Sequence, residues 1–279
     1  MDIIHVHIVD DTYKLIRVAH NCTASQLCEQ LCDTLDLTIN RLNFGLFLGQ
    51  RILQDDEAVV QTQQQNKFER LVFKQAYFTS SLRDLENDEA LRSLSFLQAH
   101  QIMLNPPTQV DTDTLVYLGS IWLQHHFGLC RERKCFIDQS VLQQVIPGGD
   151  LLVQILWNSY QKMEEFSVET LELNYLEQFL KLSFSNCNIF EAKYNMKGNQ
   201  KVNMVVKILI NREQIQIVNE GHKSSFSYKQ IKSWSHGEDY FGFKTADGAM
   251  HQFQCLDGET ICQLLKGYIL RILATNMAE

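Results

Sequence analysis

The sequence predicts an α+β chain of three consecutive lobes, and three observations carry that reading. Strand-like runs around one helical segment fill roughly the first 80 residues, a helical period runs from about 88 to 182, and strands return after Ser183 until one amphipathic helix closes the chain.

In the first lobe, residues 2–9 and 12–19 predict two strands around Asp10-Asp11, and Thr23-Ala-Ser-Gln26 has the form of a capping box opening a helix. Leu27, Leu31 and Leu35 recur every four residues along that helix. Phe44-Gly-Leu-Phe-Leu48 and Arg70-Leu-Val-Phe-Lys74 supply two more strands, with Gln61-Thr-Gln-Gln-Gln65 expected as a short polar loop. The order β-β-α-β-β in this length is the ubiquitin-like β-grasp pattern, placed at residues 1–80.

The middle lobe, 81–183, predicts a helical bundle. Leu91, Leu94, Leu97 and Leu104 mark one helix, Leu115, Leu118 and Trp122 a second, Leu152, Leu156, Tyr160 and Met163 a third, and Leu171, Tyr175, Phe179 and Leu182 a fourth. Asn105-Pro-Pro107 and Pro147-Gly-Gly149 break them, the latter read as a turn before a helix capped by Asp150. The linkers near 80–87 and 183–187 are short.

The third lobe, 184–279, predicts strands at 188–194, 205–210, 214–218, 225–228 and 231–235. In Gln214-Ile-Gln-Ile217 the alternation is strict, as for a strand with one wet and one dry face. Ala246-Asp-Gly248 is a turn between Tyr240-Phe-Gly-Phe-Lys-Thr245 and Met250-His-Gln-Phe-Gln-Cys255, a hairpin. In the final helix Ile261, Leu264, Leu265, Tyr268, Ile269, Ile272 and Leu273 fall on one stripe facing a core.

Composition narrows the functional classes. The 279 residues are 45% hydrophobic and 21% charged with three prolines, which fits folded domains without long disordered tails. The sequence contains no apolar run of bilayer length and no secretory leader, so the chain is expected to be neither secreted nor membrane-spanning. Eight cysteines, at 22, 28, 32, 130, 135, 187, 255 and 262, fit reduced cytosolic thiols better than a disulfide framework. The net charge of −8 divides into −10 over residues 1–184 and +2 over 185–279, a balance too weakly basic to indicate nucleic acid.

Candidate chemistry is sparse. His125, His126, Cys130 and Cys135 are zinc-ligating types, but they lack a paired C-x-x-C knuckle, and adjacent histidines on a helix point about 100° apart. Cys28 and Cys32, one helical turn apart, are expected to pack or face water. With no nucleophile elbow, phosphate-cradling glycine loop or paired catalytic carboxylates, the expectation is no enzyme, no metal and no cofactor.

β-grasp, helical bundle, then a sheet closed by one helix resembles the FERM domain over essentially the whole chain. Phe96-Leu-Gln-Ala99 and Gln124-His-His-Phe-Gly128 match the family's middle-lobe signatures, and Leu173-Asn-Tyr-Leu176 with Cys187-Asn-Ile-Phe190 looks like its junction into the third lobe. The resemblance implies a three-lobed cloverleaf: ubiquitin-like, acyl-CoA-binding-protein-like and PH/PTB-like. Ile231-Lys-x-Trp234 is similar to talin-type third lobes, where the Trp contacts a receptor tail. Ser233 stands where that pattern carries Arg, which weakens the expectation of tight binding to an integrin-like tail.

The resemblance further implies a non-enzymatic adaptor that links the cytoplasmic tail of a membrane receptor or adhesion protein to the cortical cytoskeleton or to signalling partners. A short extended peptide would augment Ile231, Lys232, Ser233, Trp234 and Ser235 and pack against Leu264, Gly267, Tyr268 and Arg271 of the last helix. Ile231 is expected mainly to fill the core, and Gly267 to permit close approach. Lys223, Lys229, Lys232 and Lys244 are candidates for anionic phosphoinositide headgroups, offset by Glu238, Asp239 and Asp247. Lys14 and Arg17 of the first lobe are the contacts expected for a small GTPase, a use ranked below the groove. The expected location is cytoplasmic, at the plasma membrane or cell cortex. The rival reading is a targeting or regulatory FERM module of a larger phosphatase, kinase or myosin.

Overall fold

A computed structural model describes residues 1–9, 12–78, 81–128, 145, 149–195, 203–219 and 222–278. The chain divides into two compact units. One comprises residues 1–34, 40–79 and 186–279, and the other comprises 35–39 and 80–185.

The first unit opens with β1 (Asp2–His7), β2 (Tyr13–Val18) and helix α1 (Ala24–Thr34). The Thr23/Gln26 box forms as expected: the Thr23 N–H donates to Gln26 Oε1 (3.0 Å) and the Gln26 N–H to Thr23 Oγ1 (3.4 Å). Leu27 and Leu31 are fully buried, whereas Leu35 lies past the end of the helix. β3 (Phe44–Leu48), β4 (Arg51–Ile52), α2 (Val59–Gln65) and β5 (Leu71–Gln75) complete a sheet ordered β2-β1-β5-β3-β4, with β1 and β5 parallel. Helix α2 replaces the polar loop expected at 61–65. Val59 and Val60 ahead of the glutamines are buried and anchor a turn that the glutamines continue on its solvent side.

The same unit contains the third lobe: β6 (Asn188–Asn195), β7 (Asn203–Ile210), β8 (Gln214–Asn219), β9 (His222–Ser227), β10 (Ile231–His236), β11 (Tyr240–Thr245), β12 (Met250–Gln254) and a closing helix, Gly258–Ala278. The seven strands run β10-β11-β12-β6-β7-β8-β9, antiparallel throughout, so β10 and β9 are the edges. Phe241, Phe253, Ile208, Ile210, Ile215, Leu264 and Tyr268 are buried in one cluster, which Phe47, Ile52 and Ala76 of the first lobe join. The two sheets therefore share apolar packing. Two expectations change here. Gln216 is buried along with Ile215, so this part of β8 has no wet face. Leu273 is 53% exposed, because the inward stripe of the last helix fades after Tyr268.

The second unit holds α3 (Leu82–Asn87), α4 (Glu89–Leu104), α5 (Thr112–Phe127), α6 (Gly149–Gln161) and α7 (Val168–Phe179), and the closing helix of the first unit is then α8. Helix α3 occupies what the sequence suggested was linker. Ser81 and Asp84 cap it reciprocally (2.7 and 3.3 Å). Helix α6 begins at Gly149, one residue ahead of the cap expected at Asp150, while Pro147 and Gly148 lie outside the described residues. Helix α5 packs against α6 and α7, and α4 against α7.

The signature residues of the middle lobe build this bundle. Phe96 and Ala99 are core, and the buried Gln124 donates from Nε2 to the Glu164 carbonyl (2.9 Å). Gly128, at φ +66°, turns the chain out of α5 and donates its N–H to the Gln124 carbonyl (2.9 Å), a left-handed conformation that favours glycine. A buried ion pair joins Arg92 Nε to Glu172 Oε2 at 3.1 Å. Glu172 also takes the Ser93 hydroxyl (2.9 Å) and faces His125 Nε2 (3.4 Å).

Candidate functional site

Among the described residues no strand pairs with the outer edge of β10, which leaves a row of main-chain donors and acceptors available to another backbone. Its register with β11 shifts between Ile231 and Ser233. That bulge explains why Ile231 and Trp234, three residues apart, both pack on the sandwich core, where a regular strand would put them on opposite faces. Lys232, Ser233 and Ser235 are exposed, and Ser233 and Ser235 lie opposite Lys244 and Gly242. Trp234 is partly buried, opposite Phe243, so its indole contributes to the core while keeping an accessible part.

Helix α8 begins at the far end of this strand: a Cβ on Gly258 would meet the His236 Cβ at 3.1 Å. Residues 231–235 therefore sit beside the helix, but the four helix positions expected to line the groove are otherwise engaged. Leu264 and Tyr268 are fully buried. Tyr268 Oη accepts from the Phe78 N–H (3.3 Å) and from Asn188 Nδ2 (3.2 Å). A Cβ on Gly267 would overlap the Tyr77 ring and hydroxyl. The Arg271 guanidinium lies 3.5 Å from the Tyr77 ring centroid and also donates to the Leu42 carbonyl. Thr260, on the same stripe, donates to the Gln50 carbonyl (3.3 Å) and accepts from the Ile52 N–H (3.4 Å). Gly267 does permit close approach, but of the first lobe's Tyr77.

Half a turn around α8 from Arg271 lie Cys262 and Ile269, seven residues apart and so on one face. Cys262 is partly buried on the third-lobe core, and burial pushes its thiol up to about 12, with Glu259 adding to the rise. Ile269 is partly buried and Leu273 exposed on the same side. This stripe lies on the same side of α8 as Gly258, where the helix meets His236 of β10. Sequence reasoning placed Ile269 on the core-facing stripe and counted Cys262 only among the reduced thiols. Nothing in the sequence pointed to Tyr77, which another lobe contributes.

The candidate lipid lysines divide. Lys229, Lys232 and Lys244 lie at the Ile231 end of β10, with Lys244 partly buried, whereas Lys223 is near the start of β9 at the other edge of the sheet. Lys14 and Arg17 are both exposed, but three residues apart on a strand they emerge on opposite faces. Arg17 pairs with the exposed Ile3 and Lys14 with the buried Val6. They do not form one patch. Cys130 and Cys135 lie outside the described residues, and His125 and His126 pack around Trp122, with ring centroids 6.3 and 3.8 Å away. The described cysteines are free thiols, and burial pushes Cys28 up to about 12.

Residues 82–190 match the FERM central domain, and 190–273 match the PTB domain of IRS-1 type. The chain is a FERM domain. Its fold superposes on the human myosin 7b C-terminal MyTH4-FERM domain with a TM-score of 0.81 at 16% identity, covering 98% of this chain and 60% of that one. On the FERM and C-terminal domain complex of Drosophila Merlin the TM-score is 0.70 at 17% identity, covering 99% of both chains. Among curated proteins it is 22% identical to talin of Oscarella pearsei and 24% identical to talin-1 of Gallus gallus, over 99% and 88% of this chain. It spans only 12% and 9% of their lengths. No described helix of this FERM domain is long and apolar enough to cross a membrane.

Proposed function

We propose that this talin-like FERM domain is a non-catalytic adaptor, with lobes at 1–80, 81–183 and 184–279, that links the cytoplasmic tail of a membrane receptor or adhesion protein to the cortical cytoskeleton or to signalling proteins. The observation that carries this reading is the free edge of β10 beside α8 in a lobe of PTB type. A tail peptide adds to β10 as an eighth strand: main-chain hydrogen bonds supply affinity and the flanking side chains supply selectivity. The groove comprises Ile231, Lys232, Ser233, Trp234 and Ser235, with Cys262 and Ile269 as the helix wall in place of Gly267 and Arg271. Lys229, Lys232 and Lys244 add a weak, salt-sensitive attraction to phosphoinositide membrane, and the protein works in the cytoplasm at the plasma membrane or cell cortex. Binding of a small GTPase is a lesser use of the first lobe.

Isotope-edited NMR titration with receptor-tail peptides containing an Asn-Pro-x-Tyr turn tests this. Amides of 231–236 and 258–269 should shift, and shifts confined to other regions would overturn the groove. Liposome cosedimentation with phosphoinositides, run beside peptide pulldown, separates a purely lipid-binding module from a peptide adaptor.

A second reading is supported by the myosin chains, of which the matched portion is about 60%. In that reading the domain is the targeting or regulatory module of a larger motor or enzyme, and binding of its tail peptide would place that larger protein at the membrane.

A further inference from the structure

The two ends of β10 carry opposite charge. At the Ile231 end stand Lys229, Lys232 and Lys244. Among the described residues near it, Asp247 is held in its own hairpin by the Ala249 N–H (3.2 Å) and the Thr245 hydroxyl, and the exposed Glu213, whose carbonyl accepts from the Tyr228 N–H (3.4 Å), is preceded by the exposed Arg212. At the His236 end stand the exposed Glu238 and Asp239, together with Asp257 and Glu259 around the first turn of α8, which begins against His236. Lys74 offsets Asp257 in part and Arg51 offsets Glu259, whereas Glu238 and Asp239 form no ion pair with a described residue. Between the poles the strand is uncharged, with Ser233, Trp234 and Ser235, and Trp234 packs on the same core cluster as Cys262 of α8.

The bulge adds a second constraint. Where the register breaks at Lys232, the even spacing of outward donors and acceptors breaks with it, so an added strand finds a regular ladder only from Ser233 to His236. Every pairing in this sheet is antiparallel, and antiparallel pairing is the more stable per residue. An antiparallel guest places its N-terminal half at the acidic pole and its C-terminal half at the basic pole.

Resting on the peptide-groove reading above, we infer that the partner is a short, charge-polarised peptide: basic on its N-terminal side, apolar at its centre and acidic on its C-terminal side. A tail whose juxtamembrane residues are basic, as the cytoplasmic flanks of membrane spans commonly are, presents this polarity when it leaves the membrane at its N-terminal end.

The test compares two acetylated synthetic peptides of identical composition by calorimetry and NMR. One has two lysines, an alternating Val/Thr centre and two glutamates in N-to-C order, and in the other the lysines and glutamates are exchanged. The first should bind at least roughly three-fold tighter at low salt, the range available to a few exposed charge pairs, and the difference should vanish in high salt. In the K229E/K232E double variant, which leaves both ends of the strand acidic, the preference should be lost. Equal binding of both peptides with shifts at 231–236 would overturn the polarity while leaving the groove intact. Absence of shifts at 231–236 with either peptide would overturn both.

Discussion

The hydroxyl of Tyr77 occupies the space in which residue 267 would carry a side chain, and Arg271, one turn further along α8, covers the face of the same ring. Together with the edge-on contact of Tyr77 and Tyr268, at 5.1 Å between centroids, this fixes which side of the closing helix belongs to the first lobe.

Gly267→Ala should destabilise the chain by about 1–3 kcal/mol, because a methyl group forced against a packed ring moves side chains off their rotamers. Urea unfolding measures it. Adding Tyr77→Ala should cost less in the Gly267→Ala background than alone, since the two residues compete for one space. Peptide affinity at β10 should be unchanged by Gly267→Ala.

Trp234 is partly buried on the third-lobe core and keeps an accessible part on β10. Trp234→Ala should cost about 1–2 kcal/mol in thermal unfolding, less than a fully buried aromatic, and should also weaken tail-peptide binding. Trp234→Phe should restore most of the stability. A loss as large as that for Phe241→Ala would show a core tryptophan.

Lys74 lies over the Phe47 ring, 4.1 Å from its centroid, and burial pushes its ammonium down to about 8, with Asp257 opposing. An unfolded lysine titrates near 10.4, so between about 8 and 10.4 the unfolded chain holds a proton that the folded chain has released. Stability should therefore rise with pH across that window and be flat just below it. Lys74→Met keeps the apolar stem. It should raise stability at neutral pH by about 1 kcal/mol and abolish the alkaline rise in chemical denaturation.

Asp88 caps α4 at the Leu91 N–H (2.8 Å) and also accepts from the N–H groups of Thr38 (2.7 Å) and Ile39 (2.9 Å). Burial raises its pKa, but these donors outweigh burial and hold the carboxyl below the usual carboxylate range. Its contribution is complete above that range and is lost as pH falls through the lower folded value. Asp88→Ala should cost about 2–4 kcal/mol by leaving buried donors unpaired, and should remove part of the acid-unfolding transition followed by circular dichroism.

Local signals were legible where one short segment contains its own reason. The Thr23/Gln26 box, the Ala246-Asp-Gly248 hairpin and the 3.6-residue period of α4, α5 and α7 each depend on neighbours within a few residues. The glutamine run of α2 and the short α3 were missed because polar runs carry no apolar period. What holds them is Val59 and Val60 in one case and the Ser81/Asp84 cap in the other. In the candidate site the strand half, 231–235, was legible as a strand, and its use as an edge was what the family resemblance implied. The helix half was misassigned, because apolar spacing along α8 does not say which neighbour faces which side.

The order of residues alone determined the three-lobe α+β plan, the FERM likeness and the position of β10, since these follow from periodicity, capping and turn chemistry along the chain. Tertiary structure decided that Thr260, Gly267 and Arg271 serve the first lobe, that Lys14 and Arg17 diverge, and that Cys262 packs on the third-lobe core. The physical reason is that a helix or strand pattern fixes the angle at which a side chain leaves its own axis. Which residue meets it there depends on packing between segments far apart in sequence.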